Sequence, residues 1–174
     1  MIVTLDNSAF TLLINPDAGP PIDPNTGIEL THTKERVQGL LDDLGAKDRL
    51  IIPAPVLAET LVIAENAAPE VTEKLQTMAR ILIASFDQRA AIELAMMHRE
   101  ALQATSSKKG TSTEPWQKVK FDRQIIAIAR VHRSDAIYSD DKALCDFANS
   151  VGMSAQSTWD LPVPEKTPDL FAQD

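Results

Sequence analysis

A chain of 174 residues, 44% hydrophobic and 24% charged, has the balance of one ordinary globular domain with a real core. A net charge of −8 argues against bulk attraction to nucleic acid, and a single cysteine, Cys145, excludes a disulfide framework and a cysteine zinc site. No apolar run reaches the roughly 18 residues of a membrane span, and Asp6 interrupts the N-terminal apolar run, so a soluble cytoplasmic protein without membrane contact is expected.

Met1 to Leu5 is predicted as a strand with Asp6 at its carboxyl end, followed by a helix carrying Leu12, Leu13 and Ile14. Asn15 to Thr26 holds Pro16, Pro20, Pro21 and Pro24 and predicts a surface loop. Thr31 or Thr33 caps a helix with Val37, Leu40, Leu41 and Leu44 at helical spacing, which stops at Gly45. Leu50 to Ile52 is a second strand. Pro55 then suits the first turn of a helix, because its missing N–H is not needed there. That helix places Val56, Glu59, Thr60 and Ile63 on one face, so Glu59 interrupts an apolar stripe just past a strand. Ala67-Ala68-Pro69 breaks it, and Val71 to Ala79 is another short helix. Ile81 to Ala84 is a third strand, Gln88 to Leu102 a long helix, and Thr105 to Trp116 a polar, flexible connection.

From Lys118 to Asp146 the pattern concentrates. Asp122, Ile125, Ile126 and Ala129 share one helical face, so a carboxylate again sits in line with a core-facing stripe. A short strand, Ala136 to Ser139, runs into Asp140-Asp141 and a further helix in which Cys145 is a small buried hydrophobe. Val151 to Gln156 is an edge strand. The domain is expected over residues 1–157, with 158–174 a proline-containing C-terminal tail. Strands alternating with helices predict an α/β domain with a mainly parallel sheet, and ligands of such sheets bind beyond the carboxyl ends of the strands. Asp6, Glu59, Asp122 and Asp140/Asp141 therefore converge at one sheet edge.

Packed carboxylates repel, and a hard divalent cation relieves the repulsion. An all-oxygen set with no cysteine and no suitably spaced histidine suits Mg²⁺ or Mn²⁺. The plainer alternative is that Asp6, Asp140 and Asp141 are helix caps, whereas Glu59 and Asp122 interrupt apolar faces. Between Lys108 and Arg133 seven basic residues stand against Glu114 and Asp122, a local +5 beside the acids. Lys118, Lys120, Arg123, Lys108 and Lys109 are the candidate phosphate contacts. Trp116 either stacks on a base or packs against its neighbours.

Four segments carry a resemblance: Asp6-Asn7-Ser8-Ala9, Pro55-Val56-Leu57-Ala58-Glu59, Phe121-Asp122-Arg123-Gln124-Ile125 and Tyr138-Ser139-Asp140-Asp141-Lys142. In order and context they resemble the acidic motifs of the PIN-domain ribonucleases, most of all the VapC toxins of bacterial toxin–antitoxin pairs. The resemblance implies a three-layer α/β/α fold and a Mg²⁺- or Mn²⁺-dependent endoribonuclease. It makes Asp6, Glu59, Asp122 and Asp141 the metal-binding and catalytic acids, with Ser139 as the motif hydroxyl and Asp140 as the neighbouring candidate for the fourth ligand. It also implies a small antitoxin partner and a homodimer. The segment between Asp6 and Glu59 and the linker 105–116 are longer than in compact family members, and the overall acidity is unusual for an RNA enzyme. Rival readings are a haloacid-dehalogenase-like phosphohydrolase, which lacks its second opening Asp here, and a PIN-fold RNA- or protein-binding module without turnover. The apolar helices bearing Val37, Leu40, Leu41 and Leu44 and starting at Pro55 either form a groove for a partner's helix or are consumed by the core.

Overall fold

The strands of the domain are β1 (Ile2–Leu5), β2 (Arg49–Pro53), β3 (Ile81–Ala84), β4 (Ala136–Tyr138) and β5 (Ala155–Gln156). In the computed structural model, which describes residues 1–15, 18–23 and 26–164, all five pair in parallel in the order β3-β2-β1-β4-β5. Helices α1 (Asn7–Ile14), α2 (Thr33–Asp42), α3 (Ala54–Ala64), α4 (Ala68–Thr77), α5 (Gln88–Thr105), α6 (Trp116–Val131) and α7 (Lys142–Ser150) cover the two faces, giving three α/β/α layers. The expected fold class is the one observed.

Central parallel strands are covered on both faces, which is why Leu50-Ile51-Ile52 and Ala136-Ile137-Tyr138 are unbroken apolar runs, all buried. The one polar side chain inside β1, Thr4, is satisfied by the Ser134 hydroxyl at 2.6 Å. Ile125 to Ala129 of α6 are all fully buried. The second half of that helix runs through the interior and is packed on every side, while its first half keeps Gln117 and Lys120 exposed.

Chain order moves outward from β1 to β2 and β3 on one side and to β4 and β5 on the other. The direction of winding therefore reverses between β1 and β4, leaving a crevice at their carboxyl ends. Leu5 pairs with Tyr138 there, and the Asp6 N–H donates to the Tyr138 carbonyl at 3.0 Å. The residues that follow both strands are thus held side by side.

Several boundaries differ from those read in the sequence. The residue preceding α2 is His32 in left-handed backbone, so neither Thr31 nor Thr33 is the cap. Pro69 lies in the first turn of α4, after a 3₁₀ turn (Glu65–Ala67), a position where proline is compatible with helix. Helix α5 continues to Thr105, and β5 is confined to Ala155–Gln156.

The connection 106–115 is held down. Arg123 is 1% exposed; its guanidinium donates to the Lys108 carbonyl and, at 2.9 Å, to that of Lys109, and lies 4.2 Å over the Phe147 ring. Lys109 in turn donates to the Glu114 carbonyl at 2.7 Å. The expectation that Arg123 meets RNA phosphates is corrected: its charge is spent on backbone oxygens that a flexible loop would have left to water. Trp116 packs against His98, ring centroids 5.1 Å apart.

Beyond β5 a 3₁₀ turn (Thr158–Asp160) returns to α2, where Arg36 donates to the Trp159 and Leu161 carbonyls and Leu161 is buried. The rest of the proline-containing tail, residues 165–174, lies outside the described residues. Among the described residues, no helix is long and apolar enough to cross a membrane.

Replacing Arg123 with Ala should destabilise the domain by about 3 kcal/mol, since two charge-assisted bonds from a buried guanidinium to the 106–115 connection are lost together with its packing. Urea unfolding should register the loss, and amide exchange across 106–115 should accelerate before that of the sheet.

Candidate active site

Asp6 follows β1 and stands at the cap position of α1, but its side chain caps nothing. Instead Oδ2 accepts a 2.7 Å hydrogen bond from Ser139 Oγ, and the Ser8 hydroxyl lies 3.5 Å away. Ser139 is wholly buried, and its oxygen also accepts from the Asp141 N–H at 3.0 Å. Its position between two acids makes it a group that orients them. Burial pushes the Asp6 carboxyl above its ordinary range; the Ser139 bond opposes this, and the Asp141 charge adds to it.

Asp141 caps α7 through Oδ1, which accepts from the Ala143 and Leu144 N–H groups at 2.8 and 3.2 Å. Its other oxygen turns into the crevice. The Asp140 carboxylate is engaged elsewhere: both its oxygens accept from Thr158 Oγ1 at 2.8 Å, and Oδ1 also accepts from the Thr158 N–H. Of the two candidates for the fourth ligand, Asp141 keeps an oxygen for the pocket and Asp140 is committed to the 3₁₀ turn.

Asp122 enters from the second turn of α6 with its side chain 14% exposed. Burial pushes its pKa up to about 6, with Lys118 pulling down and the Asp141 and Asp6 charges pushing up. Glu59, on α3, is exposed at the edge of the same pocket, and burial of part of its carboxyl together with the Asp6 charge raises its pKa. The stripe it interrupts is only half core-facing, since Val56 and Thr60 are buried while Ile63 is open to solvent.

Asp6, Glu59, Asp122, Asp140 and Asp141 all line one cleft of about 860 Å³, which Lys118 also lines. Asn7, Ser8, Gln117, Phe121 and Lys142 line the cleft as well, beyond the residues expected from the sequence. The signal for the first two was their place in the opening turn of α1, directly after a strand-end acid. Ser8 also accepts from the Asp140 N–H at 2.9 Å, linking α1 to the loop after β4. Of the expected RNA contacts, Lys118 lies inside the pocket, Lys108 and Lys120 are exposed outside it, and Lys109 is tied to Glu114.

The donor chemistry, oxygen throughout, fits a hard divalent cation. Yet among the described residues no group of three or more His, Cys, Asp or Glu side chains is gathered closely enough to hold a metal ion as it stands. Two of the acids are bridged by the Lys118 ammonium, 3.3 Å from Asp122 Oδ2 and bonded to Asp141 Oδ2.

A parallel α/β sheet with acids converging at its switch point defines a class of proteins that place carboxylate chemistry at one sheet edge. Within that class, this chain belongs to the PIN domain family, whose model matches residues 28–149. Glu59, Asp122 and Asp141 fall inside the match and Asp6 precedes it. Membership sets aside the haloacid-dehalogenase alternative. Similar solved structures include FitAB bound to a DNA fragment (19% identity, TM-score 0.59, covering 93% of this chain and 98% of that one). VapBC2 from Rickettsia felis bound to promoter DNA is also similar (14%, 0.57, 90% and 98%), as is VapBC-1 from nontypeable Haemophilus influenzae (14%, 0.57, 91% and 98%). At such identities the likeness is one of fold. No curated protein matches the chain.

Because the folded pKa of Asp122 lies above the ordinary carboxylate value of 3.8, folding favours its neutral form. The stabilisation is complete at low pH and is lost as pH rises through about 6. Melting in EDTA should therefore show a lower Tm at about pH 7.5 than at about pH 5, and Asp122→Asn should shrink that difference and raise the Tm at the higher pH.

Proposed function

We propose that this chain is a Mg²⁺- or Mn²⁺-dependent endoribonuclease that acts as the toxin of a toxin–antitoxin pair. The observation that carries the reading is the cleft in which Asp6, Glu59, Asp122 and Asp141, from four separate elements, face one another at the switch point of a PIN fold. Asp6, Asp122 and the pocket-facing oxygen of Asp141 would hold the ion, with Glu59 opposite them on α3. The chemistry such an ion would supply is activation of a water and polarisation of a phosphoryl oxygen. Ser139 keeps Asp6 aimed at the cleft by donating to Oδ2. Exposed Lys108 and Lys120, with Lys118 inside the pocket, are the candidates to meet an RNA backbone, since Arg123 is buried.

The VapBC and FitAB relatives support a small antitoxin as partner. Val37 and Leu40 of α2, and Leu44 just beyond its end, are consumed by the core. A groove of about 890 Å³ nevertheless runs between α1, α2, α3 and α4, floored by Leu12, Leu13, Ile63, Ala64 and Val71. That size and lining suit an amphipathic segment of a partner. The homodimer proposal rests on apolar side chains open to solvent, Leu82 and Ile83 on edge strand β3 and Ile92 and Met96 one turn apart on α5.

Purified protein should cleave single-stranded RNA with Mg²⁺ or Mn²⁺ and stop in EDTA. Asp6→Asn and Asp122→Asn should each lower the rate by orders of magnitude while circular dichroism stays unchanged. Undiminished cleavage in chelator would sink the metal dependence, and binding without cleavage in any metal would leave the binding-module reading. Neutralising Lys108 and Lys120 should flatten the salt dependence of RNA affinity by ~0.7 of a log–log unit per lost contact. Expression of the chain alone should arrest growth, and co-expression with a small neighbouring gene should relieve the arrest and yield a co-purifying complex.

A further inference from the structure

Lys118 reaches the acid pocket from the first turn of α6 and links two acids that lie far apart in the chain. Its Nζ is 3.3 Å from Asp122 Oδ2, one helical turn onward, and bonds Asp141 Oδ2 at the cap of α7. The second contact matters more than an ordinary i,i+4 surface pair, which contributes little. Asp141 Oδ1 is already engaged by the Ala143 and Leu144 N–H groups. A cation ligated by Asp141 must then take Oδ2, the oxygen that Lys118 holds. An ammonium and a divalent ion cannot share that oxygen closely, because like charges in a partly desolvated cleft repel.

We propose that Lys118 is an internal counter-ion of this pocket: it ties Asp122 to Asp141 and gives way when a divalent cation claims those oxygens. The inference rests on the metal-dependent reading above and deepens it. The Lys118 side chain is 36% exposed, so its flexible stem has solvent to swing into without disturbing α6. The same geometry explains why the acids line one cleft yet are not drawn into a coordinating group. A released ammonium at the pocket mouth would also face an incoming phosphate, joining cation loading to substrate holding.

Isothermal titration of the full chain with Mn²⁺ alone, without RNA, tests the role. Lys118→Met should bind Mn²⁺ about tenfold more tightly than wild type, having lost both a competitor and a like charge. Lys118→Arg should stay near wild type. Lys47→Met, which removes the same charge from an exposed site away from the pocket, should change nothing. Equal or weaker Mn²⁺ binding by Lys118→Met would overturn the proposal. In EDTA, Lys118→Met should melt below both wild type and Lys118→Arg, and equal melting temperatures would overturn it as well. Should none of the proteins bind Mn²⁺, the metal-dependent reading fails, and the EDTA melts still decide whether Lys118 neutralises the acids.

Discussion

The Ser139 hydroxyl is the point on which the site depends. It is buried, donates to Asp6 Oδ2 and accepts from the Asp141 N–H, so one oxygen spans the ends of two adjacent strands. The strand pairing of Leu5 with Tyr138 brings these residues together, and the hydroxyl then orients two acids at once. Beneath it, the Cys145 thiol donates to the Ser139 carbonyl at 3.2 Å, and burial holds that thiol's pKa up at about 12. Cys145 is a packing and positioning group for this loop; its thiol has little tendency to ionise.

Charge near the crevice is sorted into two uses. Asp140 and Arg123 are spent on backbone and hydroxyl partners, closing the 3₁₀ turn and the 106–115 connection. Asp6, Asp122 and Asp141 keep oxygen atoms turned into the cleft, at a cost in desolvation and mutual repulsion that the raised pKa values of Asp6 and Asp122 record. A fold selected for stability alone would not keep these acids, and such local cost is expected where a site is built for a cation or a reaction.

The two concave surfaces of the domain are physically joined. Thr60 lines the groove between the helices and donates at 2.9 Å to Asn7 Oδ1, and Asn7 lines the acid cleft next to Asp6. Helices α1 and α3 thus each present one side to the groove and one to the cleft.

The sequence by itself determined the alternation of elements, hence the parallel sheet, and it located the four acids through their local context. Asp6 and Asp141 were legible because each follows a short β run, and Asp122 because it breaks a helical stripe of isoleucines. The division of labour among neighbouring charges was not legible, because hydrogen bonding across the fold decides it. Asp140 and Asp141 are adjacent and chemically identical; only the arrival of Thr158 from beyond β5 commits the first and leaves the second. Arg123 lies in the most basic stretch of the chain and reads as a phosphate contact. The packing of α6 against the 106–115 connection instead buries it over Phe147, where an unpaired guanidinium would be prohibitive and carbonyl oxygens must satisfy it. Lys118 belongs to the same basic run, and its distance in sequence from Asp141 hides their contact until the strand order β1-β4 brings α6 and α7 to one edge. Period and composition fix what a residue does along its own element, whereas the partner of a charge is chosen by whatever the topology places within 3 to 4 Å of it.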